Sequence, residues 1–307
     1  MDSLLINLKN SGIGCYVNSC YAGALCYADD VTLLCPSLHG LNVMVETCVN
    51  FANDFNVTFN HKKTVALHFG KIKIISGSVY LDGNLIKWND SVKHLGNIIS
   101  QNLSDDKDCN FKKSCFIGSV NKLIGNFGRM YSHVKSKLFL SYCTSFYGSQ
   151  MWRLSCNGIA QLCTSWQVAI RRLLHLPRNS HRWALGPLIN CSHIRTQLEL
   201  RTLSFIFKFA ASKNVLVNSI FNVAISDARS DLGFNIAHFR SKYQIFSFNC
   251  IVASSKIIVN SSFNVINADQ QARVNAAREL LACRDNLFNF DFPHSDIDFF
   301  IETCLCK

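Results

Sequence analysis

Ten residues, Leu25-Cys26-Tyr27-Ala28-Asp29-Asp30-Val31-Thr32-Leu33-Leu34, place two adjacent carboxylates between short apolar and β-branched runs. Such runs bury well as the arms of a β-hairpin, with Asp29 and Asp30 at its tip. Neighbouring carboxylates repel one another and resist desolvation, so holding them on a stiff support carries a cost that a bound cation offsets. The chemistry that uses such a pair is phosphoryl transfer, in which two hard divalent ions roughly 4 Å apart are held by carboxylates and bridge phosphate oxygens. A structural reading stands beside it: Asp favours turns, and an acidic hairpin tip needs no ligand.

A hairpin tip is only as well placed as the elements beneath it. After the hairpin, Leu41, Val45, Cys48, Ala52 and Phe55 recur at three- and four-residue steps, which predicts an amphipathic helix started by Pro36-Ser37. Strands are predicted at Val57-Thr58-Phe59 and Val65 to Phe69, joined by a turn through Asn60-His61-Lys62-Lys63. Val79-Tyr80-Leu81, Asp82-Gly83 and Leu85-Ile86 predict a tight hairpin, because Asp-Gly accepts the positive φ angles of a two-residue turn. A strand through Leu95-Gly96-Asn97-Ile98-Ile99 is expected beside it. Gly96 would either let a nucleic-acid strand approach the backbone or mark a β-bulge.

From about residue 106 the strand signals stop. Helices are predicted from Asp106 to Met130, Ser136 to Tyr147, Cys163 to His175 (stopped by Pro177) and Ile194 to Ala211. Asp105, Asp106 and Asp108 suit the positive end of the first of these. Gly118, Gly125 and Gly128 weaken it by roughly 1 kcal/mol each relative to Ala, so packing must supply its stability. Beyond residue 212 only Asp269 to Cys283 has clean helical periodicity; the stretch with Phe288, Phe290, Phe292, Phe299 and Phe300 is undecided between packing back and staying loose.

Net charge is +11, and it is unevenly distributed. Residues 1–70 carry 3 Lys/Arg against 5 Asp/Glu, residues 71–150 carry 11 against 5, residues 151–210 carry 8 against 1, and residues 211–307 are balanced at 9 each. The excess between 71 and 210 fits a polyanionic partner, or else a basic, solvated helix surface. A hydrophobic content of 49% with 17% charged residues excludes a wholly disordered chain. The fifteen cysteines are scattered through apolar segments without Cys-x-x-Cys or zinc-finger spacing, which reads as reduced core thiols rather than a disulfide framework. Only Cys191-Ser192-His193 and Cys304-Leu305-Cys306 group closely, without partner ligands at metal-site spacing. No signal peptide and no apolar run of membrane-spanning length is present, so a nuclear or cytoplasmic location is expected.

Tyr27-Ala28-Asp29-Asp30 resembles the active-site tetrapeptide of reverse transcriptases, and further segments follow in the family's order. Asn60-His61-Lys62-Lys63-Thr64 is similar to the Asn-x-x-Lys-Thr segment of retroelement polymerases. Val92-Lys93-His94-Leu95-Gly96 is similar to the primer grip, with His94 where an aromatic Tyr is usual. Phe146-Tyr147-Gly148-Ser149-Gln150-Met151-Trp152 and the stretch from Trp166 through Arg171-Arg172 to Arg178 resemble the helical region after the polymerase in LINE-type elements of the jockey kind. The resemblance, to non-LTR retrotransposon reverse transcriptases, covers about two thirds of the chain and fades after Phe209.

The resemblance implies an α+β chain: a partial polymerase palm of β-hairpins with a packed helix over residues 1–105, an all-α thumb over 106–160 and a C-terminal helical region over 161–307. It implies Asp29 and Asp30 as ligands of Mg2+, Lys63 either near the leaving pyrophosphate or as a surface lysine, and Leu95 and Gly96 in the primer grip. Lys112, Lys113, Lys122, Arg129, Arg171, Arg172 and Arg178 would meet phosphates of an RNA template paired with a DNA primer, with dNTP as substrate of the complete enzyme. The opening, Met1-Asp2-Ser3-Leu4-Leu5 with Ser11-Gly12-Ile13-Gly14-Cys15, resembles the stretch after the family's template-binding motif. Met1 then reads as an internal methionine, with the first metal-binding aspartate upstream and this polypeptide inactive alone. The alternative is a nucleic-acid-binding relic without chemistry.

Overall fold

The computed structural model describes residues 1–70, 77–243, 268–287 and 305. It is mixed α and β, with small two-stranded sheets and long helices, and the chain divides into two compact units. The first unit comprises Met1–Ser104 with Phe209–Gly233; the second comprises Asp105–Lys208 with Phe234–Lys307.

The first unit is organised around helix α2 (Leu38–Asp54). Ser37 caps it, its hydroxyl accepting from the Gly40 N–H, as a Ser in extended conformation before an apolar periodicity should. α2 buries two stripes. Met44, Cys48 and Phe51 meet Leu4 and Leu8 of α1 (Asp2–Asn10), and against this cluster lie Ala24, Val31 and Leu33 of the hairpin formed by β3 (Ala24–Tyr27) and β4 (Asp30–Leu33). Val45 meets Ala66, Val79, Leu81 and Ile86 in a second cluster. Leu4 and Leu8 are wholly buried, each worth roughly 1.5–3 kcal/mol of burial.

Among the described residues, five two-stranded sheets accompany α2 in this unit. Before the β3–β4 hairpin comes β1 (Tyr16–Val17) with β2 (Cys20–Tyr21). Strand β5 (Ala66–Leu67) pairs in parallel with β8 (Trp88–Asn89), and β6 (Val79–Leu81) pairs with β7 (Asn84–Ile86) across Asp82 (φ 50°) and Gly83 (φ 72°), the tight turn that Asp-Gly predicts. The last pair is β9 (Ser91–His94) with β10 (Asn97–Ser100). Helix α8 (Val215–Ser226) belongs to this unit: Asn214 caps it, accepting from Leu216 and Val217 N–H, and Ser219 Oγ lies 3.3 Å from Cys20 Sγ.

Several expectations about strands are corrected. Val57 to Phe59 is irregular, because the Val57 N–H donates to Ala52 O at the end of α2 and Phe59 is held by packing against both core clusters, so its apolar surface is covered without a ladder. The strand expected over Val65 to Phe69 shrinks to Ala66–Leu67. Leu95 and Gly96 are a turn, not a strand interior, with φ of 46° and 79°, and their hairpin forms its own sheet rather than joining β6–β7. Phe55, expected to bury, is 58% exposed just beyond the end of α2.

The second unit is helical: α3 (Asp106–Phe127), α4 (Ser132–Tyr142), a 3-10 turn (Ser149–Met151), α5 (Asn157–Leu173), α6 (Arg182–Leu188), most of α7 (Ile194–Ala210), most of α9 (Asp231–Tyr243) and α10 (Ala268–Leu287). Residues 106–160 and 161–208 share this one unit. Cys109, Phe116, Val120 and Leu123 form the buried stripe of α3, and Ile159, Leu162, Trp166, Ile170 and Leu173 that of α5. The three acidic residues at the start of α3 all bond to the segment before α5, although Asp106 is also exposed. Asp108 is 3% exposed and its Oδ2 accepts from Trp152 Nε1 at 2.7 Å, Asp105 Oδ2 accepts from Arg153 N–H at 2.7 Å, and Asp106 Oδ1 accepts from Cys156 Sγ at 3.0 Å.

Helix limits differ from expectation where distant groups supply caps. α4 begins four residues early because Asp285 of α10 accepts from Ser132 N–H and Ser132 Oγ at 2.5 and 2.9 Å. It ends at Tyr142 because Arg201 collects the carbonyls of Thr144, Ser145 and Phe146. α5 starts at Asn157, six residues early, and α6 and α9 lie where no helix was expected. The Phe288 to Phe300 stretch and Cys304 and Cys306 fall outside the described residues.

Candidate functional site

The β3–β4 hairpin is closed by a two-residue turn, Ala28-Asp29, with Tyr27 opposite Asp30. Ala28 takes φ 54°, a left-handed conformation usually left to Gly or Asn at this turn position. Register divides the side chains between two faces. Ala24, Val31 and Leu33 lie against the core, whereas Leu25, Tyr27, Asp30 and Thr32 share the opposite face, on which Leu25 and Tyr27 are 46% and 66% exposed. Asp29 and Asp30 are both exposed. The hairpin thus presents two hydrated carboxylates on a support whose other face packs against the core.

The next element on that outer face is the β9–β10 hairpin. His94 Nε2 lies 3.4 Å from Thr32 Oγ1, a long hydrogen bond between the two hairpins. Thr32 and Asp30 are two residues apart on β4, so His94 meets the face that also bears Asp30. Leu95, in the turn after His94, is 39% exposed. Sequence spacing did not announce this contact, since 62 residues separate its partners.

Lys63 sits elsewhere in the first unit, exposed on a turn that Asn60 closes: Asn60 Oδ1 accepts from Lys62 and Lys63 N–H at 3.0 and 3.3 Å, and Thr64 Oγ1 donates to Asn60 O. Among the described residues no ion pair joins Lys63 to Asp29 or Asp30.

The basic candidates of the second unit divide by environment. Lys122 and Arg129 are exposed on and just beyond α3. Lys113 donates to Gln161 Oε1, and exposed Arg172 donates to Asn121 Oδ1 at 3.2 Å, each tying α3 to α5. Arg171 is half-buried and its Nη2 donates to Ser180 O at 2.6 Å, closing the loop after α5. Arg178 is exposed. Lys112 Nζ lies 5.5 Å from the ring centroid of Tyr147, which is 61% exposed.

The Cys191-Ser192-His193 group is internally occupied. Burial pushes the Cys191 thiol up to about 12 and holds the His193 pKa below its usual value. His193 Nδ1 accepts from Arg195 N–H, and its Nε2 lies 3.1 Å from Gln167 Nε2. Because Nδ1 is an acceptor, the ring proton resides on Nε2, which requires the Gln167 amide to turn its oxygen to the ring. Elsewhere in the unit a cavity of about 570 Å³ lies between α4 and α10. The sequence-derived candidates do not line it, and its Arg278 is engaged by Pro187 O and Asn190 Oδ1.

Among the described residues no group of three or more His, Cys, Asp or Glu is placed to hold a metal ion, and no helix is long and apolar enough to cross a membrane. No protein-family model matches the chain, and no characterised protein matches its sequence.

Proposed function

We propose that the chain carries the paired-aspartate palm hairpin, the primer-grip turn and the duplex-holding helices of an RNA-directed DNA polymerase of the non-LTR retrotransposon kind, acting in the nucleus or cytoplasm. One observation supports the reading: His94, the residue before the turn read as primer grip, meets Thr32 on the face of β4 that also bears Asp30. A primer terminus and a metal-bound nucleotide must meet within a few ångströms, and this arrangement supports it.

In this reading Asp29 and Asp30 hold Mg2+, which when bound offsets the negative charge of the nucleotide phosphates. Hard carboxylate oxygens would suit that ion. Two adjacent carboxylates fit one ion, and a two-ion clamp takes a further carboxylate beyond this pair. Leu95 and Gly96 position the primer. Lys63, on its own exposed turn, is the candidate to offset charge on the leaving pyrophosphate, with a plain surface lysine as the alternative. Lys112, Lys113, Lys122, Arg129, Arg171 and Arg172 neutralise phosphates of the RNA template and DNA primer. The 307-residue chain alone is therefore proposed to bind template and primer without extending it.

A non-catalytic nucleic-acid-binding module is the second reading, favoured by the absence, among the described residues, of a third ligand beside the aspartates. Two measurements separate them. An RNA–DNA hybrid should bind the purified chain with a logarithmic salt slope of about −0.9 per phosphate neutralised, and failure to bind at low salt sinks both readings. Mn2+ should broaden the NMR signals of the hairpin tip in the wild type and not in Asp29→Asn/Asp30→Asn; equal broadening in both removes the polymerase reading and leaves the binding module. Template-dependent extension by the chain alone would overturn the proposal that it binds without extending.

A further inference from the structure

Tyr147 stands on a loop built to hold it outward. The residue before it, Phe146, is 5% exposed, packs its ring 5.5 Å from that of Phe116, and takes φ 40°, a conformation that bulky side chains avoid. Gly148 after it takes φ 83°. Arg201 of α7 donates to the carbonyls of Thr144 at 2.9 Å, of Phe146 at 3.4 Å and of Ser145, so one guanidinium fixes the three residues leading to Tyr147. On the other side Trp152 is 2% exposed and anchored by Asp108. Buried anchors thus bracket a ring that is itself 61% exposed. Folding gains little from an exposed ring, and a strained backbone persists only where its surroundings enforce it, a pattern that concentrates at binding sites.

Lys112 Nζ stands over this ring, 5.5 Å from its centroid. A phenol ring has two faces, and a cation over one leaves the other open to stacking. Aromatic faces accept any base without sequence preference, and a neighbouring ammonium suits the phosphate that accompanies it. The basic balance of residues 71–210 favours a polyanion over a peptide at this position.

We propose that Tyr147 is a stacking platform for an unpaired base of a bound nucleic-acid strand, with Lys112 facing its phosphate. The inference rests on the nucleic-acid-binding reading above and adds a specific contact to single-stranded nucleotides within the second unit.

The test uses the full chain and fluorescein-labelled RNA–DNA hybrids, blunt or with a single-stranded extension of about ten nucleotides, read by anisotropy. Wild type should prefer the extended hybrid by roughly 5- to 100-fold, Tyr147→Phe should keep the preference, and Tyr147→Ala and Tyr147→Leu should lose it while binding blunt hybrid as before. Lys112→Gln should lower the salt slope by about one. A preference that survives in both Tyr147→Ala and Tyr147→Leu, with unchanged circular dichroism, overturns the proposal. So does equal wild-type binding of both hybrids, which leaves the nucleic-acid reading intact, whereas wild-type binding to neither removes both.

Discussion

At the scale of single residues, the hairpin tip combines two hydrated carboxylates with a left-handed alanine. Ala28 holds φ 54° although its Cβ disfavours it. Glycine removes that steric cost, so Ala28→Gly should stabilise the chain by up to about 1 kcal/mol, less the entropy that glycine adds to the unfolded state. Urea denaturation checks this, and a loss of stability would show that the methyl group makes a contact outweighing the strain. Asp29 and Asp30, exposed and outside any ion pair among the described residues, should behave oppositely to buried acids. Their replacement by Asn should leave stability within about 0.5 kcal/mol. Their types and adjacency were legible in sequence because a two-residue turn is a local structure. The approach of His94 to the face of Asp30 was not, because it depends on how two hairpins far apart in sequence meet.

At the scale of elements, local patterns placed α2, α7 and the Asp82-Gly83 hairpin well, since each is decided by its own periodicity, cap or turn residues. The limits of α4 were illegible because its N-terminal donors are satisfied by Asp285 and the carbonyls beyond its C-terminus by Arg201. Asp108 shows the same dependence: near a helix start it reads as a dipole partner, yet it is buried and meets the indole of Trp152. Trp152→Phe keeps most of the apolar volume and removes that Nε1 donor from a buried carboxylate. We expect a loss of about 2–4 kcal/mol, with part of it recovered in Trp152→Phe/Asp108→Asn, because the double variant no longer buries a charge that has lost a donor. Chemical denaturation of both variants measures it; no recovery in the double variant would mean that the loss is a packing defect.

At the scale of the whole molecule, the buried titratable groups limit stability on both sides of neutrality. Burial pushes the Cys48 and Cys143 thiols up to about 11 and Cys191 up to about 12, from an ordinary 9.0. The native state therefore retains these protons when the unfolded chain has released them, so stability is full below about pH 9 and falls as pH rises toward 11 to 12, by on the order of 2–3 kcal/mol for Cys48. His193 and His238 are shifted down, chiefly by burial. The unfolded chain binds their protons first, so stability present above about pH 6.5 is lost as pH falls below it. Unfolding free energy against pH should thus be flat between about 6.5 and 9, with the alkaline fall reduced in Cys48→Ala; an undiminished fall in that variant would assign it to other groups.

The sequence by itself determined the acidic hairpin tip, the Asp82-Gly83 turn, the basic excess between residues 71 and 210 and the helices whose apolar stripes are self-evident, because each follows from interactions within a few positions or from composition. Tertiary structure alone decided the approach of His94 to the face of Asp30, the burial of Asp108, the limits of α4, the outward hold on Tyr147 and the membership of Phe209–Gly233 in the first unit. The physical reason is common to them: a buried polar group or helix end must find a partner, and here the partners lie tens to more than a hundred residues away, where no local pattern reaches.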